Sequence, residues 1–103
     1  MFTPRVQTEQ TELLMKALLQ LDSIEEAYRF CEDVLTVQEL KSITQRLEVA
    51  VMLRKKITYQ EIAHKTGAST ATISRVNRAL LYGANGYNLV LDTLSQDANV
   101  QQK

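Results

Sequence analysis

The chain has 103 residues, 45% hydrophobic and 23% charged, enough for one small domain whose core a partner chain would help to complete. No apolar run approaches the ~20 residues of a membrane span, the opening Met1-Phe2-Thr3-Pro4-Arg5 lacks a signal-peptide core, and the single Cys31 excludes an internal disulfide and suits a reducing cytoplasm. Formal net charge is zero, but residues 1–50 carry five basic and nine acidic side chains against seven and three in residues 51–103, so the second half keeps a local field that a polyanion would feel.

No alternating run suggests a strand, Pro4 is the one proline, and Gly67, Gly83 and Gly86 all fall in turn-like contexts. Six helices are predicted, forming an all-α domain over residues 8–94 between an N-terminal arm (1–7) and a disordered polar tail (95–103). Helix one spans Thr8 to Gln20, with Leu13, Leu14, Ala17, Leu18 and Leu21 on one side. Ser23-Ile24-Glu25-Glu26 is a capping box that opens helix two. Its buried stripe is Ile24, Ala27, Tyr28, Cys31, Val34 and Leu35, which makes Cys31 a core thiol rather than a nucleophile.

Thr36-Val37-Gln38-Glu39 is a second capping box and starts a long helix to Arg54, about 28 Å at 1.5 Å per residue. Leu40, Ile43, Leu47, Ala50 and Val51 form one stripe, and Val49, Met52 and Leu53 add apolar surface around the side. Such a helix needs cover on more than one face, from a second subunit or from the chain's own helices. Arg54-Lys55-Lys56 ends it, where cations complement the helix dipole and could equally touch DNA phosphates.

Thr58-Tyr59-Gln60-Glu61 is the third capping box. Ile62 and Ala63 face inward on the short helix it opens, and Gly67 ends that helix in a left-handed turn. Ser69 caps the next helix, Thr70 to Leu81, whose inner face is Ile73, Val76 and Leu80. Residues 58–81 thus read as a helix-turn-helix. Its outer N-terminal end carries Ala68, Ser69, Thr70, Ala71, Thr72 and Ser74, small and hydroxyl side chains able to reach base edges in a major groove. Arg75 and Arg78 lie further along and meet backbone or ligand; Tyr59, Lys55 and Lys56 are placed for phosphates. A loop at Gly83–Gly86 leads to a closing helix from Tyr87 to Leu94 with Leu89, Val90, Leu91 and Leu94.

Three segments carry a family resemblance: Leu35-Thr36-Val37-Gln38-Glu39-Leu40 with the Arg46 helix after it, Ile57-Thr58-Tyr59-Gln60-Glu61-Ile62, and Gly67-Ala68-Ser69-Thr70-Ala71-Thr72-Ile73-Ser74-Arg75. Over residues 10–95 the chain resembles the Trp repressor-like family, and within it the YerC/YecD-type branch. The resemblance implies an all-α, six-helix fold, an intertwined homodimer, and two recognition helices entering successive major grooves about 34 Å apart. It also implies a candidate effector pocket. In Trp repressor two arginines and a glycine frame the tryptophan. The matching arginines here are Arg46, through a one-residue shift, and Arg75. The glycine is replaced by Val76, whose side chain would occupy the space of the indole, and a serine by Ala79, which loses a polar contact. The expectation is no tryptophan binding, with a smaller effector left open.

The expected function is a sequence-specific, double-stranded-DNA-binding transcriptional regulator, a repressor reading a palindromic site. The alternative is a helical dimer that binds a protein partner and uses the motif helices for packing alone. Catalysis is not expected. His64 is the sole histidine and stands without a cysteine or carboxylate cluster of metal-ligand spacing, and no glycine-rich phosphate loop or nucleophile elbow is present. No catalytic residue, metal or cofactor is assigned.

Overall fold

A computed structural model describes the backbone of residues 1–101 and the side chains of residues 1–96. The fold is all-α. Six helices are formed among the described residues, with no strand: α1 (Glu9–Leu18), α2 (Ile24–Val34), α3 (Val37–Arg54), α4 (Tyr59–Thr66), α5 (Thr70–Tyr82) and α6 (Gly86–Gln101).

Helix starts follow their caps. Thr8 accepts the Thr11 amide at 3.0 Å, and Thr11 returns the bond to the Thr8 amide at 2.7 Å. Ser23 accepts the Glu26 amide at 3.1 Å, while the Glu26 carboxylate reaches back to the Asp22 amide at 2.9 Å, one residue beyond the expected partner. Thr58 accepts the Glu61 amide at 3.2 Å and Ser69 the Thr72 amide at 3.1 Å. A hydroxyl cap of this kind contributes about 1 kcal/mol relative to alanine.

Two helix ends depart from expectation. α1 stops at Leu18 rather than Gln20, because the chain tightens there: the Gln20 and Leu21 amides bond Ala17 and Leu18 carbonyls three residues back, at 3.0 and 3.2 Å. α6 runs to Gln101 rather than Leu94. The segment after Leu94 is polar, but it holds no glycine or proline to stop a helix. Of the tail expected to be disordered, Gln102 and Lys103 lie outside the described residues.

The chain divides into two compact units, residues 1–37 and residues from 38 onward. The first holds α1 and α2 and contains no buried residue. Leu13, Leu19, Ile24 and Tyr28 are exposed, and Cys31, expected in a core, is half-buried. Two short helices do not by themselves enclose a side chain.

The second unit has its own core. Val49 and Ala50 come from α3, Ile62 from α4, Ala68 from the turn, Ile73 and Val76 from α5 and Leu91 from α6. Met52, Leu53, Ile57, Ala63, Leu80 and Tyr87 pack against it half-buried. On α3 the expected stripe splits: Ala50 is buried, whereas Ile43 and Leu47 are exposed.

Two backbone positions in this unit are left-handed around the motif. Gly67 has φ +76°, and Lys56 has φ 64°. At Lys56 the end of α3 closes as a Schellman turn, with the Ile57 amide on the Met52 carbonyl at 3.1 Å and the Lys56 amide on the Leu53 carbonyl at 3.0 Å. A Cβ built at Gly67 meets nothing within 4 Å, so Gly67→Ala isolates the backbone term and is expected to lower stability by about 1 kcal/mol. Lys56→Gly is the opposite case and is expected to raise stability by roughly 0.5 kcal/mol. Urea denaturation of the two variants checks both signs.

Candidate nucleic-acid interface

The turn between α4 and α5 is held by its own polar groups. The Gly67 amide bonds the Ala63 carbonyl at 2.9 Å. The Thr66 hydroxyl donates to the Ile62 carbonyl at 2.8 Å and accepts the Ala68 amide at 3.1 Å. From α3, the Gln45 amide nitrogen donates to the Thr66 carbonyl at 3.2 Å, satisfying one of the orphan carbonyls at a helix end. Neither Thr66 nor Gln45 stands out in the sequence: the first reads as a polar end residue, and the second acts across 21 positions, which no local pattern encodes.

Ala68 is a correction. It was expected on the reading surface, but it is 5% exposed and belongs to the core. The residue after the left-handed glycine turns inward, and its methyl fills the space between the two motif helices. The remaining expected residues are accessible. Ser69, Thr70, Ala71, Ser74, Arg75 and Arg78 are exposed and Thr72 is half-buried. The 3.6-residue period explains the division: Ile73, Val76 and Leu80 share the inner side, so Ala71, Ser74, Arg75 and Arg78 share the outer one. Tyr59, the first residue of α4, is half open to solvent, and Lys55 and Lys56 are exposed.

The cations of this unit sort by partner. Arg54 is ion-paired with Asp92 of α6 and also reaches the Asn88 carbonyl at 3.4 Å, which ties the end of α3 to α6. Lys65 lies 3.9 Å from Glu61 on its own helix. Arg75 and Arg78 have no hydrogen bond or ion pair among the described residues. They are free to meet an external anion.

Arg46 and Arg75 are exposed, and Val76 is 1% exposed inside the core. Ala79 lines an apolar pocket with Leu47, Ala84, Gly86, Tyr87 and Val90. Among the described residues no group of three or more His, Cys, Asp or Glu side chains could hold a metal ion. No helix among them is long and apolar enough to cross a membrane.

Known proteins share this arrangement. The family model described as Trp repressor protein matches residues 9–95. The uncharacterized protein YerC of Bacillus subtilis (strain 168) is 46% identical over 92 residues, which cover 89% of this chain and 88% of YerC. The crystal structure of a TrpR-like protein from Eubacterium eligens ATCC 27750 superposes with a TM-score of 0.83 at 54% identity, covering 88% of this chain and 94% of that one. That of a candidate Trp repressor from Staphylococcus aureus also gives 0.83, at 42% identity, over 88% and 91%. A match over nearly the whole helical domain, in sequence and in backbone, means that the chain belongs to the Trp repressor family.

Proposed function

We propose that this protein is a cytoplasmic, sequence-specific DNA-binding regulator that represses transcription as a homodimer. The carrying observation is the outer side of α5. It presents hydroxyls, a small residue and two unpaired arginines on a helix whose entry turn is fixed at three points. A helix of that kind fits a major groove: the arginines and Tyr59 supply phosphate contacts, and Thr70, Ala71, Thr72 and Ser74 reach base edges. Two copies related by a two-fold axis would read a palindrome, and an occupied site would block polymerase.

The homodimer is supported by the apolar surface that one chain leaves open. Leu13, Leu18, Ile24 and Tyr28 of the first unit and Ile43, Leu47, Leu89 and Leu94 of the second are all exposed, more than a soluble monomer normally shows. A second copy of the chain covers such a set without requiring a different partner.

Selection of bound sequences from a random DNA pool tests the reading. Enrichment of a two-fold symmetric site is the expected result; no enrichment even at low salt overturns it and leaves the protein-interaction alternative. Tryptophan is not the signal in this reading, because Val76 is packed into the core at the position of the family's glycine. Isothermal titration is expected to show no micromolar tryptophan binding, and adding tryptophan should leave the selected site unchanged.

A further inference from the structure

Ser69 and Thr72 stand together at the start of α5, and their hydroxyls do different work. Ser69 Oγ accepts the Thr72 amide at 3.1 Å and donates its own proton to Thr72 Oγ1, also at 3.1 Å. A hydroxyl has one proton and two lone pairs. The Ser69 proton is therefore used inside the turn. Thr72 Oγ1 has accepted a bond, and its own proton must point away from Ser69.

Three other helical threonines place that proton on the carbonyl four residues back, and Thr11 places its own on the Val6 carbonyl at 2.8 Å. Thr44 donates to Leu40 at 2.7 Å, Thr66 to Ile62 at 2.8 Å and Thr93 to Leu89 at 3.0 Å. Thr72 makes no such bond among the described residues. Its proton is left over at the half-open end of the recognition helix. A hydroxyl that accepts one hydrogen bond is also polarised to donate a stronger one.

We infer that Thr72 meets DNA by donating its hydroxyl proton to an acceptor atom of a base edge or a phosphate, and that Ser69 is the positioning residue that turns that proton outward. The inference rests on the DNA-binding reading above and refines it. Ser69 leaves the set of direct DNA contacts. If the partner is a base, the acceptors within reach of that proton are purine N7, guanine O6 and thymine O4.

The test uses the full chain and the DNA site enriched by the wild type. Thr72→Val keeps the shape and removes the hydroxyl, and is expected to weaken binding about three- to tenfold. Thr72→Ser is expected to retain wild-type affinity. Ser69→Gly is tolerated at an N-cap at a cost of only about a few tenths of a kcal/mol, so its melting temperature should stay near wild type, but it has no side-chain proton to orient Thr72. It should weaken binding in the wild-type background and add nothing in the Thr72→Val background, while Ser69→Thr, which keeps the hydroxyl, should bind normally. An equal loss from Ser69→Gly in both backgrounds would mean that Ser69 touches DNA itself, and would overturn the inference. So would wild-type affinity in Thr72→Val.

DNA substitution identifies the acceptor. Methylphosphonate linkages remove single phosphate charges, and base analogues remove single acceptor atoms. One substitution should erase the difference between wild type and Thr72→Val; if none does, Thr72 is not a donor to DNA. Failure of the broader reading looks different, because the wild type would then enrich no site at all.

Discussion

Replacing Arg75 and Arg78 together by glutamate is expected to weaken DNA binding by a factor on the order of 10² to 10³, with little change in melting temperature. Both side chains are exposed and have no hydrogen bond or ion pair among the described residues, so replacing them should shift stability by less than about 0.5 kcal/mol. The proposed dimer presents four such arginines. Even at ~1 kcal/mol for each phosphate contact, the sum reaches several kcal/mol before the repulsion from the new carboxylates is counted. The salt dependence gives a second readout. Each phosphate contact contributes about 0.9 to the slope of log affinity against log salt, so the variant's slope should be shallower by roughly 3 to 4. Fluorescence anisotropy at several salt concentrations measures both. Unchanged affinity and slope would mean that the outer side of α5 does not face a polyanion.

The second large effect is on folding. Diluting the protein below the dissociation constant of the proposed dimer is expected to melt α1 and α2 while the second unit stays folded. The two helices have 10 and 11 residues, shorter than the ~12–15 at which isolated helices become marginally stable in water. Neither buries a side chain within the single chain. In the proposed dimer their stability comes from association, and it should depend on concentration. The second unit carries Val49, Ile62, Ile73 and Val76 fully enclosed and can persist alone. Circular dichroism across a dilution series should lose about a quarter of the chain's helical signal in one concentration-dependent step. Hydrogen exchange should assign that loss to residues 9–34. Helicity that stays constant while sedimentation reports a monomer would refute this account.

Much of the fold was legible because the governing rules are local. Ser23, Thr58 and Ser69 cap helices since a short hydroxyl side chain satisfies a free amide two or three residues on. Gly67 turns left-handed because it has no Cβ to clash there. Ile73, Val76 and Leu80 lie inward because 3.6 residues make a turn. The misreadings have the opposite character. Ala68 is small enough for either a groove or a core, so its direction depends on how α4 and α5 cross. Arg54 finds Asp92 across 38 positions and Gln45 finds Thr66 across 21; such distances leave no periodic trace. α6 runs on past Leu94 because polarity alone does not stop a helix and no glycine or proline follows to do so. In the first unit, the stripes on α1 and α2 were read correctly as apolar, but a stripe cannot tell whether its cover comes from the same chain.

The hydrogen bond from Gln45 to Thr66 gives α3 two opposed duties. Gln45 points at the recognition turn, while Ile43 and Leu47, each two residues away and so roughly on the opposite side of the helix, belong to the exposed apolar row. In the proposed dimer, the strut that one subunit presses against is the strut that steadies the other end of the DNA-reading turn. Association and DNA affinity then become linked quantities. Whatever factor the partner adds to DNA binding, DNA must return to the subunit equilibrium, since the free energies around that cycle close. An operator would work as a clamp on its own repressor, and a mutation at Leu47, with no route to a base or phosphate, would be felt at the groove.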